Sequence, residues 1–170
     1  MTDNKIDFQP RVEDNLQNFL FKYGIDTTTN FDLKNIAKDL DLNIKVLMKD
    51  ELNQIKPNKL VILNLESSKE NDGLETSDGR SPADQRSSPS NKVRGSHWVC
   101  LFKNKYYFDP YGILPMKNIT CEMWNTLQIQ PDNTKMCGQL CLYILYRLDH
   151  GDSFENLILT VYEEMNDLID

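Results

Sequence analysis

Apolar positions along the chain follow two spacings, and the change between them maps the fold. From residue 11 to 23, Val12, Leu16, Phe19, Leu20 and Tyr23 recur three and four apart, which predicts one buried helix face stopped by Gly24. A second helical pattern runs through Phe31, Leu33, Ile36, Ala37 and Leu40, with Asn30 as its cap. The period then shortens to two, so Leu42 to Met48 reads as a strand. The apolar run Lys59 to Leu65, with polar flanks, reads as a central strand.

Residues 66–95 break the pattern: they hold almost no apolar side chains, and their charges nearly cancel. Such a segment buries too little surface to offset its ordering entropy, so it is expected to be a long flexible surface loop. Neither flank carries a full core, which makes residues 1–170 one domain with a loop rather than two domains. Alternation resumes at Ser96–Lys103, placing His97, Val99 and Leu101 on one strand face and Trp98, Cys100 and Phe102 on the other. Asn104 can turn this strand into a hairpin with Lys105–Asp109, and Asp109-Pro110-Tyr111-Gly112 ends it. Residues 116–126 carry helical spacing in Met116, Ile119 and Met123, extended by Leu127; alternatively, Leu127 to Ile129 forms a short strand. After a polar loop from Gln130, the positions Leu140, Ile144, Leu145 and Leu148 predict a core helix, with Asn133 or Thr134 as cap. Ser153 to Asp170 is a further helix, with Phe154, Leu157, Ile158, Val161, Met165 and Leu168 on its apolar side.

Composition narrows the class. A chain of 170 residues with 39% hydrophobic and 9% aromatic content suits one soluble globular domain. No apolar run reaches membrane-spanning length, and the first residues lack the apolar core of a signal peptide. An intracellular, reducing setting follows, in which the four cysteines are thiols. Cys100, Cys121, Cys137 and Cys141 contain no Cys-x-x-Cys pair and have only His97 and His150 beside them, so neither a metal nor another cofactor is expected. A net charge of −7 argues against a partner bound through phosphate neutralisation, though a local basic patch stays open.

The chemistry centres on Cys137, in the first turn of the predicted core helix, where unpaired N–H groups and the helix dipole favour a thiolate. A small buried apolar role is the plainer reading of a single cysteine. Thiol catalysis also needs a base and a group that orients it. His97, at the edge of a strand after a flexible loop, fits the base better than His150, which lies in a polar turn. Asp109 closes the partner strand; a turn centred near residue 103 sets it nearly opposite His97, where a carboxylate can fix the imidazole tautomer. Asp-Pro is equally a common turn former. Gln130, seven residues before Cys137, can donate to an oxyanion, with Gln128 as a competitor by spacing.

Taken in order, His97-Trp98, Phe108-Asp109-Pro110-Tyr111-Gly112, Gln130 to Asn133 and Cys137-Gly138 resemble the blocks of the adenovirus-type, or adenain-like, cysteine proteases. That family carries His-Trp, then Phe-Glu-Pro-Phe-Gly, then a Gln shortly before a Cys-Gly helix start. Lys45 to Leu52 and Val61 to Leu65 are similar to relatives encoded by virophages and Maverick/Polinton elements. The resemblance spans residues 44–148 apart from the 66–95 loop, and the wider clan includes proteases that remove ubiquitin-like modifiers. It implies an α+β, papain-like fold: a central mixed or antiparallel sheet packed by a nucleophile-bearing core helix and flanking helices. It implies Cys137 as nucleophile, His97 as base and acid, Asp109 as orienter, and Gln130 with the Cys137 backbone N–H as oxyanion hole, with Trp98 beside the site.

The implied activity is a cysteine endopeptidase that cuts viral capsid precursors near small residues such as glycine during particle maturation, within the host cell or in the packaged virion. An isopeptidase for ubiquitin-like modifiers and a catalytically silent scaffold are the alternatives. Three departures stand out: Asp109 replaces a glutamate, the insertion before His97 is long, and the chain is acidic where the adenovirus enzyme is basic. Cys121 does not align with the cysteine that takes the adenovirus activating peptide, so neither that peptide nor DNA is carried over as a cofactor.

Overall fold

The computed structural model describes residues 15–65 and 97–169. Val12 and the expected 66–95 loop lie outside them. The described elements, in chain order, are α1 (Leu16–Tyr23), α2 (Asn30–Asp39), β1 (Ile44–Met48), a short 3-10 segment (Lys49–Gln54) and β2 (Leu60–Asn64). They continue with β3 (Trp98–Phe102), β4 (Tyr106–Phe108), β5 (Met123–Trp124), α3 (Cys137–Asp149) and α4 (Phe154–Ile169). The architecture is α+β, around one five-stranded mixed sheet in the order β1-β2-β3-β4-β5. The outer pairs β1–β2 and β4–β5 are parallel, and the inner pairs are antiparallel.

Side-chain alternation divides the sheet between two cores. Leu60, Ile62, Trp98, Cys100 and Phe102 point into the larger core, which α3 fills. Val61, Leu63, Val99, Leu101 and Tyr107 point to the other face, covered by Leu52, Ile55, Met116, Ile119 and Cys121 from irregular segments. Both faces being covered, β2 and β3 are buried at every position, as a continuous apolar run requires. Helix α3 is buried on all sides, with only Arg147 and Asp149 escaping, and it lies against β3, α1, α2 and α4. Each fully buried Leu or Ile there contributes roughly 1.5–3 kcal/mol relative to exposure.

Several boundaries differ from the sequence expectation. The cap of α2 is Thr29, which forms a reciprocal box with Asp32, and Asn30 is already helical. Phe31 is not part of the buried stripe but 72% exposed. Residues 116–126 are not a helix: Met116 and Ile119 form a turn closed by a 3.0 Å hydrogen bond, and Met123 enters β5. The helical spacing misleads because Met116 and Ile119 serve one face of the sheet, and Met123 and Leu127 the other. Leu127 to Ile129 forms no strand. Neither Asn133 nor Thr134 caps α3; its N-cap is Met136, with no capping side chain. Asn133 instead takes a left-handed turn conformation (φ 63°), and the Thr134 hydroxyl donates to the Pro131 carbonyl at 2.6 Å.

Candidate active site

Three elements converge on one point. The sequence places Cys137 as the first residue of α3, with its thiol buried (4% exposed). The peptide entering β3 lies across that helix end: the Trp98 N–H donates to the Cys137 sulfur at 3.4 Å, and the Cys141 thiol donates to the Trp98 carbonyl at 3.3 Å. Cys137 and Cys141 are one helical turn apart, so α3 grips both polar groups of Trp98. His97, the residue before β3, therefore stands beside the sulfur.

The imidazole is held on three sides. Its Nε2 lies 3.1 Å from Oδ1 of Asp109, a carboxylate with no exposed surface. Cys137 acts on the same ring, where its hydrogen bonding and charge favour the protonated imidazole. The Tyr111 ring stacks on the imidazole, with centroids 5.0 Å apart and planes 24° from parallel. Burial by itself lowers the His97 pKa, but the bonds to Asp109 and Cys137 and their negative charge outweigh it and push the pKa from 6.5 up to about 9. His97 is thus an imidazolium at neutral pH.

The hairpin register accounts for the meeting of His97 and Asp109 and corrects the expected pairing. Lys103 and Asn104 both adopt positive φ (53° and 55°), and the Lys105 N–H closes the turn on the Phe102 carbonyl. The pairs Phe102↔Tyr106, Leu101↔Tyr107 and Cys100↔Phe108 centre the hairpin on Asn104. Continued outward, that register puts Tyr111, not Asp109, opposite His97. Asp109 is the diagonal neighbour on the same face, still within reach of a ring nitrogen.

Gln130 is buried (1% exposed), and its Nε2 donates to the Thr134 carbonyl at 2.9 Å, pinning it under the loop that leads to Cys137. A second N–H on that nitrogen remains. Gln128 is exposed and braces the same loop, donating to the Gln130 carbonyl and to Asp132, each at 2.9 Å. His150 lies at the far end of α3, roughly 20 Å from Cys137 by helix rise, where its Nδ1 meets the Tyr146 carbonyl at 2.7 Å. It takes no part in the site.

No protein-family model, curated protein or solved structure matches this chain. What the site can do is therefore read from its own geometry.

Two supports escaped sequence reasoning. Asn125, buried at 3% exposure, accepts from the Asp109 N–H (2.9 Å) and donates to the Asp109 carbonyl (2.7 Å). The 26–28 loop lies over the first turn of α3, held by Gln139 Nε2 to the Asp26 carbonyl (2.8 Å) and Trp98 Nε1 to the Thr28 carbonyl (3.2 Å). A Cβ on Gly138 would sit 2.1 Å from Thr28 Oγ1, so this close approach requires glycine after the cysteine. The Cys-Gly pair was the available signal for that contact; Asn125 offered none, lying in a segment whose spacing suggested a helix.

All four cysteines are thiols, among the described residues no group of side chains is arranged to hold a metal ion, and no described helix is long and apolar enough to cross a membrane.

Proposed function

We propose that this chain is a thiol endopeptidase with a papain-like arrangement, in which Cys137 attacks a peptide carbonyl and His97 shuttles the proton. The observation that carries the reading is the unbroken chain from sulfur to imidazole to buried carboxylate, Cys137–His97–Asp109. An imidazolium hydrogen-bonded to a cysteine is the pairing in which the sulfur acts as a thiolate nucleophile. Catalytic roles require that pairing at a place a substrate can reach, and His97 keeps 26% of its side chain exposed.

In the proposed cycle the Cys137 thiolate forms a bond to the carbonyl carbon, and the electron pair moves onto oxygen. The backbone N–H of Cys137, at an α3 terminus without a capping side chain, and the remaining Gln130 N–H receive that oxyanion. Collapse breaks the C–N bond as His97 gives its proton to the leaving amine, which leaves an acyl-enzyme and a neutral imidazole. His97 then takes a proton from water, hydroxide attacks the thioester, and the acid product leaves with the imidazolium restored. Asp109 holds the ring in place throughout.

The adenain-like resemblance extends the proposal to substrate: structural precursors of a viral or virophage particle, cut near small residues at an intracellular assembly site. The test is to incubate the protein with capsid precursors from the same genome, with conjugates of ubiquitin-like modifiers in parallel, and to map new termini by mass spectrometry. Cleavage of the precursors by the wild type and none by Cys137→Ala is expected. Release of modifiers alone would reassign it as an isopeptidase, and inertness toward both would leave a binding protein.

A further inference from the structure

We propose that Asn125 is a positioning residue of the active site, a side-chain substitute for a missing strand that fixes Asp109 and, through it, the imidazole of His97. The inference rests on the thiol-protease reading and adds to it the part of the fold that holds the orienting carboxylate.

The argument begins at the end of the sheet. β5 pairs in parallel with β4 through Tyr106↔Met123 and Tyr107↔Trp124, and the pairing then stops. The next residue of β4's chain after Phe108 is Asp109, followed by Pro110, which has no N–H to continue a ladder. Asp109 must nevertheless satisfy a buried N–H and C=O, because its side chain has no exposed surface and an orphaned group there is costly. The Asn125 side chain meets both groups, since a primary amide has the donor and acceptor of a peptide group; it is the partner of the N–H, and it shares the carbonyl with the Gly112 N–H at 2.8 Å. Its Oδ1 accepts from the Asp109 N–H at 2.9 Å, and its Nδ2 donates to the Asp109 carbonyl at 2.7 Å. The second Nδ2 hydrogen goes to the Leu127 carbonyl at 3.1 Å, which ties the clamp to the irregular segment leading to Gln130.

The clamp acts at the residue whose direction the site depends on. With both backbone groups fixed, Asp109 has only its side-chain torsions left, and the 2.8 Å bond from the Tyr111 N–H to Oδ1 settles those. The same oxygen faces His97 Nε2. Gly112 (φ +72°) completes the arrangement: a Cβ there would meet the Thr126 carbonyl at 2.7 Å, so the turn after Asp109 lies flush against the segment that carries Asn125. A residue that merely ended the sheet would need no contact with both the N–H and the carbonyl of Asp109. The titratable groups facing His97 are Asp109, Cys137 and Tyr111, while Tyr107 and Cys141 feel Asp109 from β4 and from α3.

The test uses the whole chain and needs no substrate. Carboxamidomethylation of Cys137 by iodoacetamide is followed by mass spectrometry from pH 5 to 10 in the wild type, Asn125→Ala and Asn125→Ser, with folding checked by circular dichroism. The wild type should show an alkaline inflection near pH 9, where the imidazolium is lost. In the folded variants that inflection should move down by about one pH unit or more, a tenfold or larger change in the imidazolium equilibrium. In an Asp109→Asn background, Asn125→Ala should cause no further movement, because it acts through the group already removed. An unmoved inflection in a folded variant overturns the role of Asn125 while leaving the protease reading intact. A wild type with no inflection overturns both. Failure of both variants to fold also overturns the proposal, since Asn125 would then serve the fold rather than the site.

Discussion

Replacing Asp109 with asparagine separates the charge in the site from its shape. The side chain keeps its size, and its oxygen can still accept from the Tyr111 N–H, now 2.8 Å away. What is lost is a full negative charge 3.1 Å from His97 Nε2. Two unit charges at such a distance interact by roughly 5 kcal/mol at an effective dielectric constant of about 20. That exceeds the net effect on the ring: a rise from 6.5 to about 9 corresponds to roughly 3 kcal/mol, with burial opposing it throughout. Without the carboxylate, burial should prevail and return His97 to about pH 7 or lower.

The sign for stability follows from the raised value. A histidine bound more tightly to its proton in the folded state contributes its full stabilisation below the unfolded pKa of 6.5 and loses it as pH climbs through about 9. Across that window the wild type should lose roughly 3 kcal/mol from this group, and Asp109→Asn should lose much less. Proton NMR gives the midpoint directly, because the chain has only two histidines to resolve, and urea unfolding at each pH gives the stability. An Asp109→Asn protein whose His97 still titrates near pH 9 would refute the electrostatic account of the site.

Other consequences can be measured independently. Gly138→Ala should cost about 1–3 kcal/mol in urea unfolding, because its new methyl would lie 2.1 Å from Thr28 Oγ1 and 2.9 Å from Leu33 Cδ2. Adding Thr28→Ala should recover part of that loss, and a strictly additive double variant would contradict the proposed clash. Gly112→Ala combines a left-handed φ of +72° with a 2.7 Å approach to the Thr126 carbonyl; it should slow Cys137 alkylation at pH 7 as well as lower the melting temperature. Leu140→Ala, at a position with no exposed surface on α3, should cost about 2–5 kcal/mol by calorimetry.

Much of the site's chemistry was legible in one dimension, because it depends on residue type and on periods that a single chain displays. Alternation alone separated Val99 and Leu101 from Trp98, Cys100 and Phe102, and the two cores preserve that division, with His97 outside both. The spacing of Leu140, Ile144, Leu145 and Leu148 placed a core helix directly after Cys137, where α3 begins.

Tertiary structure decided how these pieces meet. A hairpin register is set by which turn closes and which face is buried, and the turn centred on Asn104 makes Asp109 a diagonal rather than a direct neighbour of His97. Residues 116–126 showed a helical period because they feed both faces of a sheet whose position the sequence does not state. Asn125 carries no periodic signal, since its partners are the backbone groups of Asp109, which any residue would present there. Local patterns record what each residue prefers to bury; only the assembled sheet determines which buried polar groups lack a partner and which side chain must supply it.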